Sequence, residues 1–148
     1  MSRDHSQQHR TPHTIRINVY DISQVNQYTS YAGVGIFHTG VEVLGTEFAY
    51  GGHQDDTSGI FATRRYEAPG QVKFRQTIEI GLTRYQINEI DLIILHLGRK
   101  YTGTKYHLLL RNCNHFADEL VYKLTGKHIP NWVSSQQVKS LEHEWSDQ

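Results

Sequence analysis

Residues 106–126 read YHLLLRNCNHFADELVYKLTG, and this stretch decides how the chain should fold. Asn112 follows a short apolar run and can cap a helix with its side-chain oxygen. The apolar residues beyond it recur at the spacing of one helical face: Phe116, Ala117, Leu120 and Leu124. Cys113 points the same way, and Gly126 suits the left-handed cap at the end of a helix. The sequence therefore predicts an amphipathic helix that turns a cysteine toward the protein interior.

Cys113 is the single cysteine of the chain. Backbone N–H groups and the helix dipole stabilise a thiolate at a helix N-terminus, and the thiolate is the nucleophilic form of cysteine. Such a nucleophile needs a base, and His38 is a candidate because it lies in the apolar stretch GIFHTGVEV at residues 35–43. A lone buried cysteine is more often an inert small hydrophobe. Its place at a helix start favours the catalytic interpretation, with Cys113 and His38 as a dyad.

Alternating polar and apolar residues predict the strands of an antiparallel sheet. The predicted strands are residues 14–20, 36–43, 46–50 and 72–81. The second and third form a hairpin that reverses at Leu44-Gly45 and carries His38. Residues 51–70 are rich in Gly, Asp and Ser and predict an irregular surface loop. The apolar run at residues 106–110 fits a short strand without requiring one.

Two more helices are predicted. Thr83 and Gln86 have the spacing of a capping box, and the apolar residues after them share one helical face: Ile87, Ile90, Ile94 and Leu97. This helix should end within residues 98–103. Ser134 and Gln137 mark the start of a last short helix toward Trp145.

Composition excludes several classes of protein. The chain has 148 residues, a length that suits one domain at residues 14–145 after a disordered polar tail at residues 1–13. The formal net charge is zero and no run of lysine or arginine occurs, so a nucleic-acid partner is not expected. The longest apolar segment, residues 90–97, is too short for membrane insertion. One cysteine and no secretory signal at the start predict a reducing compartment, the cytoplasm and also the nucleus.

Five short motifs together resemble the PPPDE family, the permuted papain-fold peptidases also called desumoylating isopeptidases. The motifs are GIFHTGVEV at residues 35–43, EFAYGGH at 47–53, YHLL at 106–109, NCNHF at 112–116 and IPNW at 129–132. The resemblance extends from Ile15 to Val133 and is greatest to the type 2 branch of the family. Each motif alone is weak, whereas the combination is highly specific.

The resemblance implies an α+β fold, a circularly permuted papain-like cysteine peptidase with an antiparallel sheet packed against helices. The family's catalytic dyad falls on Cys113 and His38. It implies hydrolysis of isopeptide bonds to ubiquitin or SUMO and, for some members, of palmitoyl thioesters on proteins. With an imidazolium partner and a helix terminus to lower the pKa of its thiol, we expect Cys113 to be a thiolate paired with protonated His38 at neutral pH.

Other residues are candidates for the same site. The Cys113 backbone N–H and the side chains of Asn112 and Asn114 are candidate donors to the oxyanion, although both asparagines can equally be helix caps. Gly51 and Gly52 are candidate substrate-binding residues, because a missing side chain lets the Gly-Gly tail of a ubiquitin-like protein approach closely; turns and tight packing also explain them. No third residue that orients His38 can be placed by spacing.

The sequence is compatible with three functions. The first is a thiol isopeptidase acting on ubiquitin or SUMO conjugates, and the second is a protein depalmitoylase, which needs an apolar groove beside Cys113. The third is a non-catalytic adaptor that binds ubiquitin-like proteins. No metal or other cofactor is expected, because His38, Cys113 and His115 lack the spacing of a zinc site and a clear fourth ligand.

Overall fold

The computed structural model describes residues 10–22, 37–68, 72–107 and 110–134. Its strands are β1 (His13–Ile22), β2 (Phe37–Val43), β3 (Thr46–Tyr50), β4 (Ile60–Arg64) and β5 (Val72–Thr83). They pair antiparallel in one sheet, in the order β4-β3-β2-β1-β5. Two helices follow, α1 (Ile87–Lys100) and α2 (Cys113–Thr125). The predicted α+β class, an antiparallel sheet with helices, is confirmed.

One face of the sheet packs against α2. Strand side chains alternate between faces, and in β1 the residues Ile15, Ile17 and Val19 are fully buried on the same face. They join Phe116 and Leu120 of α2 in a single apolar cluster. Helix α2 contacts β1, β2, β3 and β5. Because each buried apolar side chain contributes about 1.5–3 kcal/mol, this packing holds the N-terminus of α2 against the middle of the sheet.

The opposite face carries a buried polar cluster. Glu42 and Glu47 are only 3% and 1% exposed. The side-chain nitrogen of Asn18 donates to Glu42 Oε1 at 3.0 Å and to Glu47 Oε1 at 2.6 Å. A Cβ on Gly40 would lie 2.4 Å from Glu47 Cγ, so glycine is required where this carboxylate crosses β2. Tyr20 also donates to Glu47, at 2.8 Å, and this hydrogen bond places the tyrosine ring beside His38.

The hairpin of β2 and β3 has the predicted geometry. Leu44 and Gly45 have φ values of 52° and 79°, which is the backbone of a two-residue turn with both central residues left-handed. Val43 pairs with Thr46, and on the other side of β2 His38 pairs with Tyr20 of β1. His38 is therefore held at the second position of β2 by its pairing with β1.

Two sequence predictions about the strands are corrected. The segment at residues 51–70 is not wholly irregular, because β4 lies within it and pairs along the whole of β3. Strand β1 runs from His13 to Ile22, one residue earlier and two residues later than the predicted strand at residues 14–20, and the tail at residues 1–13 stays a prediction. Residues 1–9 lie outside the described ranges.

The helices also differ from prediction in detail. Helix α1 begins at Ile87, three residues later than the predicted Thr83 cap would start it, because its capping box pairs Gln86 with Glu89 and Thr83 is the last residue of β5. Ile87 is 57% exposed and does not share the buried face of Ile90. Residues 131–134 are helical, so that helix starts before Ser134, and residues 135–145 of the prediction lie outside the described part.

The apolar run before Cys113 forms no strand in its described residues. His107 in this run forms an isolated β-bridge with Arg111, which follows the run. Among the helices that the structure describes, none is long and apolar enough to cross a bilayer.

Candidate active site

Cys113 is the first residue of α2, and the cap of that helix fixes its position. The side-chain oxygen of Asn112 accepts from the backbone N–H groups of Asn114 at 2.9 Å and His115 at 3.1 Å. The Nδ1 atom of His115 accepts in turn from the Asn112 N–H at 3.1 Å, which completes a reciprocal capping box. The predicted cap is therefore confirmed, and the left-handed Gly126 ends the helix as expected.

The thiol of Cys113 lies against the backbone of β2 at His38. Its side chain faces the interior, as predicted, and is only 1% exposed. The sulfur is 3.9 Å from the carbonyl oxygen of Phe37, and the Thr39 backbone lies close enough to lower the pKa of the thiol. Phe37 and Thr39 are the two neighbours of His38 in the chain. The fold thus brings the two predicted dyad segments together across 75 residues of sequence.

Burial and hydrogen bonding have opposite effects on the pKa of the Cys113 thiol. Burial raises the pKa of the Cys113 thiol, whereas hydrogen bonds from the Thr39 backbone, the Tyr106 side chain and the backbone N–H groups of Cys113 and Asn114 lower it. The effect of burial is the larger, so the pKa is raised overall. The resting thiol is neutral at neutral pH.

His38 is also neutral in the resting structure. Its imidazole lies beside the Tyr20 ring, at a centroid distance of 5.8 Å, and parallel to the Phe61 ring, at 6.5 Å. Burial lowers the pKa of His38 to about 4. Its Nε2 atom is buried and has no hydrogen-bond partner among the described residues. The expected ion pair is therefore not the resting state, because desolvation disfavours both charges.

A cleft of about 520 Å³ opens at the end of the sheet where β2 begins and β3 ends. Its lining includes His38, Gly51, Gly52, Phe61 and Tyr106. The two glycines that the sequence suggested for substrate binding thus share a cleft with His38. Their role in binding stays a prediction.

The side chains of Asn112 and Asn114, the two candidate oxyanion donors, hydrogen bond to the backbone of the protein itself. The oxygen of Asn112 caps α2, and the Asn114 side-chain nitrogen donates to the Val133 carbonyl at 3.3 Å. The Asn114 side-chain oxygen lies 4.0 Å from the Cys113 sulfur. These contacts account for both asparagines as structural residues, and their role as oxyanion donors stays a prediction.

Tyr106 is the important residue that sequence reasoning missed. It lines the cleft with His38, and its side chain lies close enough to Cys113 to lower the pKa of that thiol. It lies seven residues before Cys113 in a segment without helical or strand periodicity. No spacing rule connects two such positions, so only the YHLL motif marked it.

His53 ends the glycine-rich motif of β3 and is held by both ring nitrogens. Nδ1 accepts from the Asp55 backbone N–H at 3.1 Å, and Nε2 lies 2.9 Å from the Ser58 carbonyl oxygen, to which it donates. A Cβ on Gly103 would fall 2.1 Å from this ring. His53 therefore ties together the loops that border the cleft, and neither nitrogen is available as a base in this arrangement.

His115 belongs to a different cleft. That cleft is also lined by Asp118, Tyr122 and His128. The Nδ1 atom of His128 lies 3.0 Å from Oδ2 of Asp118. Within the described residues, no group of three or more His, Cys, Asp or Glu side chains is arranged to hold a metal ion.

The chain is thus an α+β domain in which a buried cysteine at a helix N-terminus packs against a strand that carries a histidine. The chain belongs to the PPPDE peptidase family, since residues 13–148 match the family model described as "PPPDE putative peptidase domain". The family prediction is thereby confirmed.

Several curated proteins are similar to the chain. A desumoylating isopeptidase 1 homolog from Caenorhabditis elegans is 46% identical over 123 residues, covering 81% of this chain and 37% of that protein. A DeSI-like protein from Arabidopsis thaliana is 39% identical, covering 89% of this chain and 58% of that protein. Desumoylating isopeptidase 1 from Xenopus laevis is 34% identical, covering 83% and 73%.

The chain spans less than two thirds of the length of the first two of these relatives. None of the three names carries the type 2 designation, so the assignment to that branch stays a prediction.

Proposed function

We propose that the protein is a thiol isopeptidase that hydrolyses the bond joining SUMO or ubiquitin to a protein. Cys113 is the nucleophile and His38 the base in this proposal. The observation that supports it most strongly is the contact of the Cys113 sulfur with the backbone on both sides of His38, next to a cleft that His38 lines. The family membership and the names of the relatives agree with this reaction.

The resting charges suit His38 as a general base. A neutral imidazole can accept a proton, and Nε2 has no competing partner among the described residues. As the sulfur attacks the isopeptide carbonyl carbon, the thiol proton passes to Nε2 and the carbonyl oxygen becomes an oxyanion. The Cys113 backbone N–H is the candidate donor to that oxygen.

His38 completes the cycle with further proton transfers. His38 returns it to the lysine nitrogen as the C–N bond breaks, which leaves a thioester between Cys113 and the ubiquitin-like protein. Water then attacks the thioester carbon while giving a proton to His38. The proton goes back to the sulfur when the C–S bond breaks, so the enzyme is regenerated.

Internal packing explains the two glycines of the cleft, because a Cβ on Gly51 would lie 3.2 Å from the Phe61 ring and one on Gly52 would lie 3.0 Å from Tyr106 Cβ. In this proposal the extended glycine-containing tail of the substrate lies along the cleft that both glycines line. The relatives' printed names favour SUMO over ubiquitin. Nothing in those names supports the depalmitoylase alternative.

Turnover of a lysine peptide joined through an isopeptide bond to SUMO or to ubiquitin tests this proposal. The wild-type protein should release the peptide from one of the two conjugates. Cys113→Ser and His38→Ala should each lower kcat by about 10³-fold or more, because the dyad residues act as a unit. Tyr122→Phe, an exposed substitution on α2, is the matched control and should keep the wild-type rate.

The outcome also separates the enzyme from an adaptor. Binding of either conjugate without cleavage, unchanged in the Cys113→Ser variant, would favour the adaptor. Cleavage that survives both dyad substitutions would remove Cys113 and His38 from the reaction.

A further inference from the structure

Tyr20 lies directly opposite His38 in the sheet. The two residues pair across β1 and β2, and the side chains of directly opposite residues lie on the same face. Their rings are in contact, with centroids 5.8 Å apart and planes inclined at 46°. The Nε2 atom of His38 has no hydrogen-bond partner among the described residues, so the direction of this nitrogen depends on what the ring packs against.

The Tyr20 side chain is held at both ends. It is only 1% exposed, and its ring packs edge-on against Phe74 at a centroid distance of 5.9 Å. Its hydroxyl donates to the carboxylate of Glu47 and lies 2.8 Å from Oε1 and 3.0 Å from Oε2. Because a tyrosine side chain has only two torsion angles, contacts at the ring and at the hydroxyl fix its position.

Glu47 is in turn anchored to strands β1 and β5. Its Oε1 atom accepts from the side-chain nitrogen of Asn18 at 2.6 Å. The side-chain oxygen of Asn18 accepts from the hydroxyl of Thr77 in β5 at 2.7 Å. A connected set of hydrogen bonds therefore runs from β5 through β1 to Glu47 in β3, and from there to Tyr20 beside His38.

The burial of Glu47 costs stability that an apolar cluster would not. A buried carboxylate has lost its hydration, and packed apolar side chains of similar volume are often as stable or more so. Burial raises the pKa of Glu47, as expected for a carboxylate that is poorly solvated. A cluster with this cost, directly beside the proposed general base, favours a role in the reaction over packing alone.

We propose that Tyr20 and Glu47 are positioning residues for the isopeptidase reaction: Glu47 holds the Tyr20 hydroxyl, and the Tyr20 ring keeps the His38 imidazole in one orientation where it borders the cleft. This role rests on the proposed function, in which His38 is the general base. Neither residue exchanges a proton with Cys113 or with the substrate. Displacement of a reacting group by about 1 Å can lower a rate by about 10²-fold, and the two residues prevent such displacement.

Substitutions that separate the Tyr20 ring from its hydroxyl test this role. Tyr20→Leu removes both, and kcat for the ubiquitin-like conjugate should fall about 10²-fold. Tyr20→Phe keeps the ring without its tether to Glu47, and kcat should fall about three- to tenfold. KM should change by less than about twofold in both variants, because Tyr20 is buried and acts through His38.

Two substitutions of Glu47 test the tether itself. Glu47→Leu removes the acceptor of the Tyr20 hydroxyl and should lower kcat as Tyr20→Phe does. Glu47→Gln keeps an oxygen in the place of Oε1, which accepts from both Tyr20 and Asn18, so kcat should stay within about twofold of wild type. If Tyr20→Leu does not fold, Tyr20→Phe and the two Glu47 variants carry the test, since they leave the ring in place.

Glu42→Gln is the matched control. Glu42 is 3% exposed on the same face of the sheet and accepts from the same Asn18 side chain at 3.0 Å. Its substitution should lower the unfolding temperature and leave kcat unchanged. A cluster that only stabilises the fold would give this result in the Tyr20 and Glu47→Leu variants as well.

NMR signals of the His38 ring protons report the contact without turnover. The Tyr20 ring should shift these signals in the wild type, because aromatic rings displace the resonances of nearby protons. In Tyr20→Leu the signals should move or broaden. Those of His128, whose ring stacks on Tyr122, should stay in place and provide the internal reference.

The two measurements separate the positioning role from the proposed function. Unchanged kcat in folded Tyr20→Leu, a raised KM at unchanged kcat, or unchanged His38 signals would overturn the positioning role while the isopeptidase stands. Wild-type protein that cleaves neither conjugate would overturn the proposed function, and altered His38 signals in Tyr20→Leu would then still show that Tyr20 orients the imidazole.

Discussion

At the scale of single residues, the charge of His38 is set by where β2 places it. Burial lowers its pKa from about 6.5 in an unfolded chain to about 4 in the fold. As pH falls below 6.5, the unfolded chain takes up a proton that the folded protein does not accept until near pH 4. The contribution of His38 to stability is therefore fully present above pH 6.5 and is lost between 6.5 and 4.

The free energy of unfolding should show this loss. Between pH 7 and pH 4, wild-type protein should lose up to about 3 kcal/mol more than His38→Gln, which has no titrating group at this position. Urea denaturation of both proteins across this range measures the difference, and all other titrating groups cancel in the comparison. Parallel curves would show that the imidazole is not desolvated in the fold.

The charge states of Cys113 and His38 could not be predicted from sequence. The residue types and the helix start predicted a nucleophile and a base, and the fold brings the Cys113 sulfur to the backbone next to His38, 3.9 Å from the Phe37 carbonyl oxygen. The charges depend on desolvation, which only the fold determines: the Cys113 side chain is 1% exposed, and burial lowers the pKa of His38. The position of Tyr106 in the cleft beside His38 was not predictable either, because only the fold brings the two residues together.

At the scale of elements, α2 depends on its cap. Asn112→Ala should lower the free energy of unfolding by about 1–2 kcal/mol, because two backbone N–H groups lose their acceptor. Asn112→Asp keeps an acceptor oxygen and should stay near wild-type stability. Thermal or urea unfolding of both variants distinguishes these outcomes.

The aspartate variant is the sharper test of the two. If Asn112→Asp is destabilised as much as Asn112→Ala, then the side-chain nitrogen of Asn112, and not its capping oxygen, would be the group that matters.

Elements with strong local signals were predictable. The apolar face and both caps of α2 are encoded within one continuous stretch, and the β2–β3 hairpin follows from its two-residue turn. Strand β4 was missed because it lies at the edge of the sheet, where residues 60–64 are partly buried or exposed and alternate weakly. Its pairing with β3, not its own pattern, makes it a strand.

At the scale of the whole molecule, the polar face of the sheet depends on residues distant in sequence. Asn18 of β1 bridges Glu42 and Glu47, which lie on neighbouring strands, and Glu47 crosses over Gly40. In the sequence these carboxylates look like ordinary solvent-facing strand residues. Their burial was therefore not predictable, whereas the meeting of the segments bearing His38 and Cys113 was implied by the family motifs.

The central claim is that Cys113 attacks the C-terminal carbonyl of a ubiquitin-like protein with the help of His38. SUMO and ubiquitin carrying a C-terminal vinyl sulfone test it most directly, with mass spectrometry to find the modified residue. We expect an adduct on Cys113 with one of the two probes, none with Cys113→Ser and much slower formation with His38→Ala. Folded wild-type protein that forms no adduct with either probe, or forms one at another residue, would contradict it.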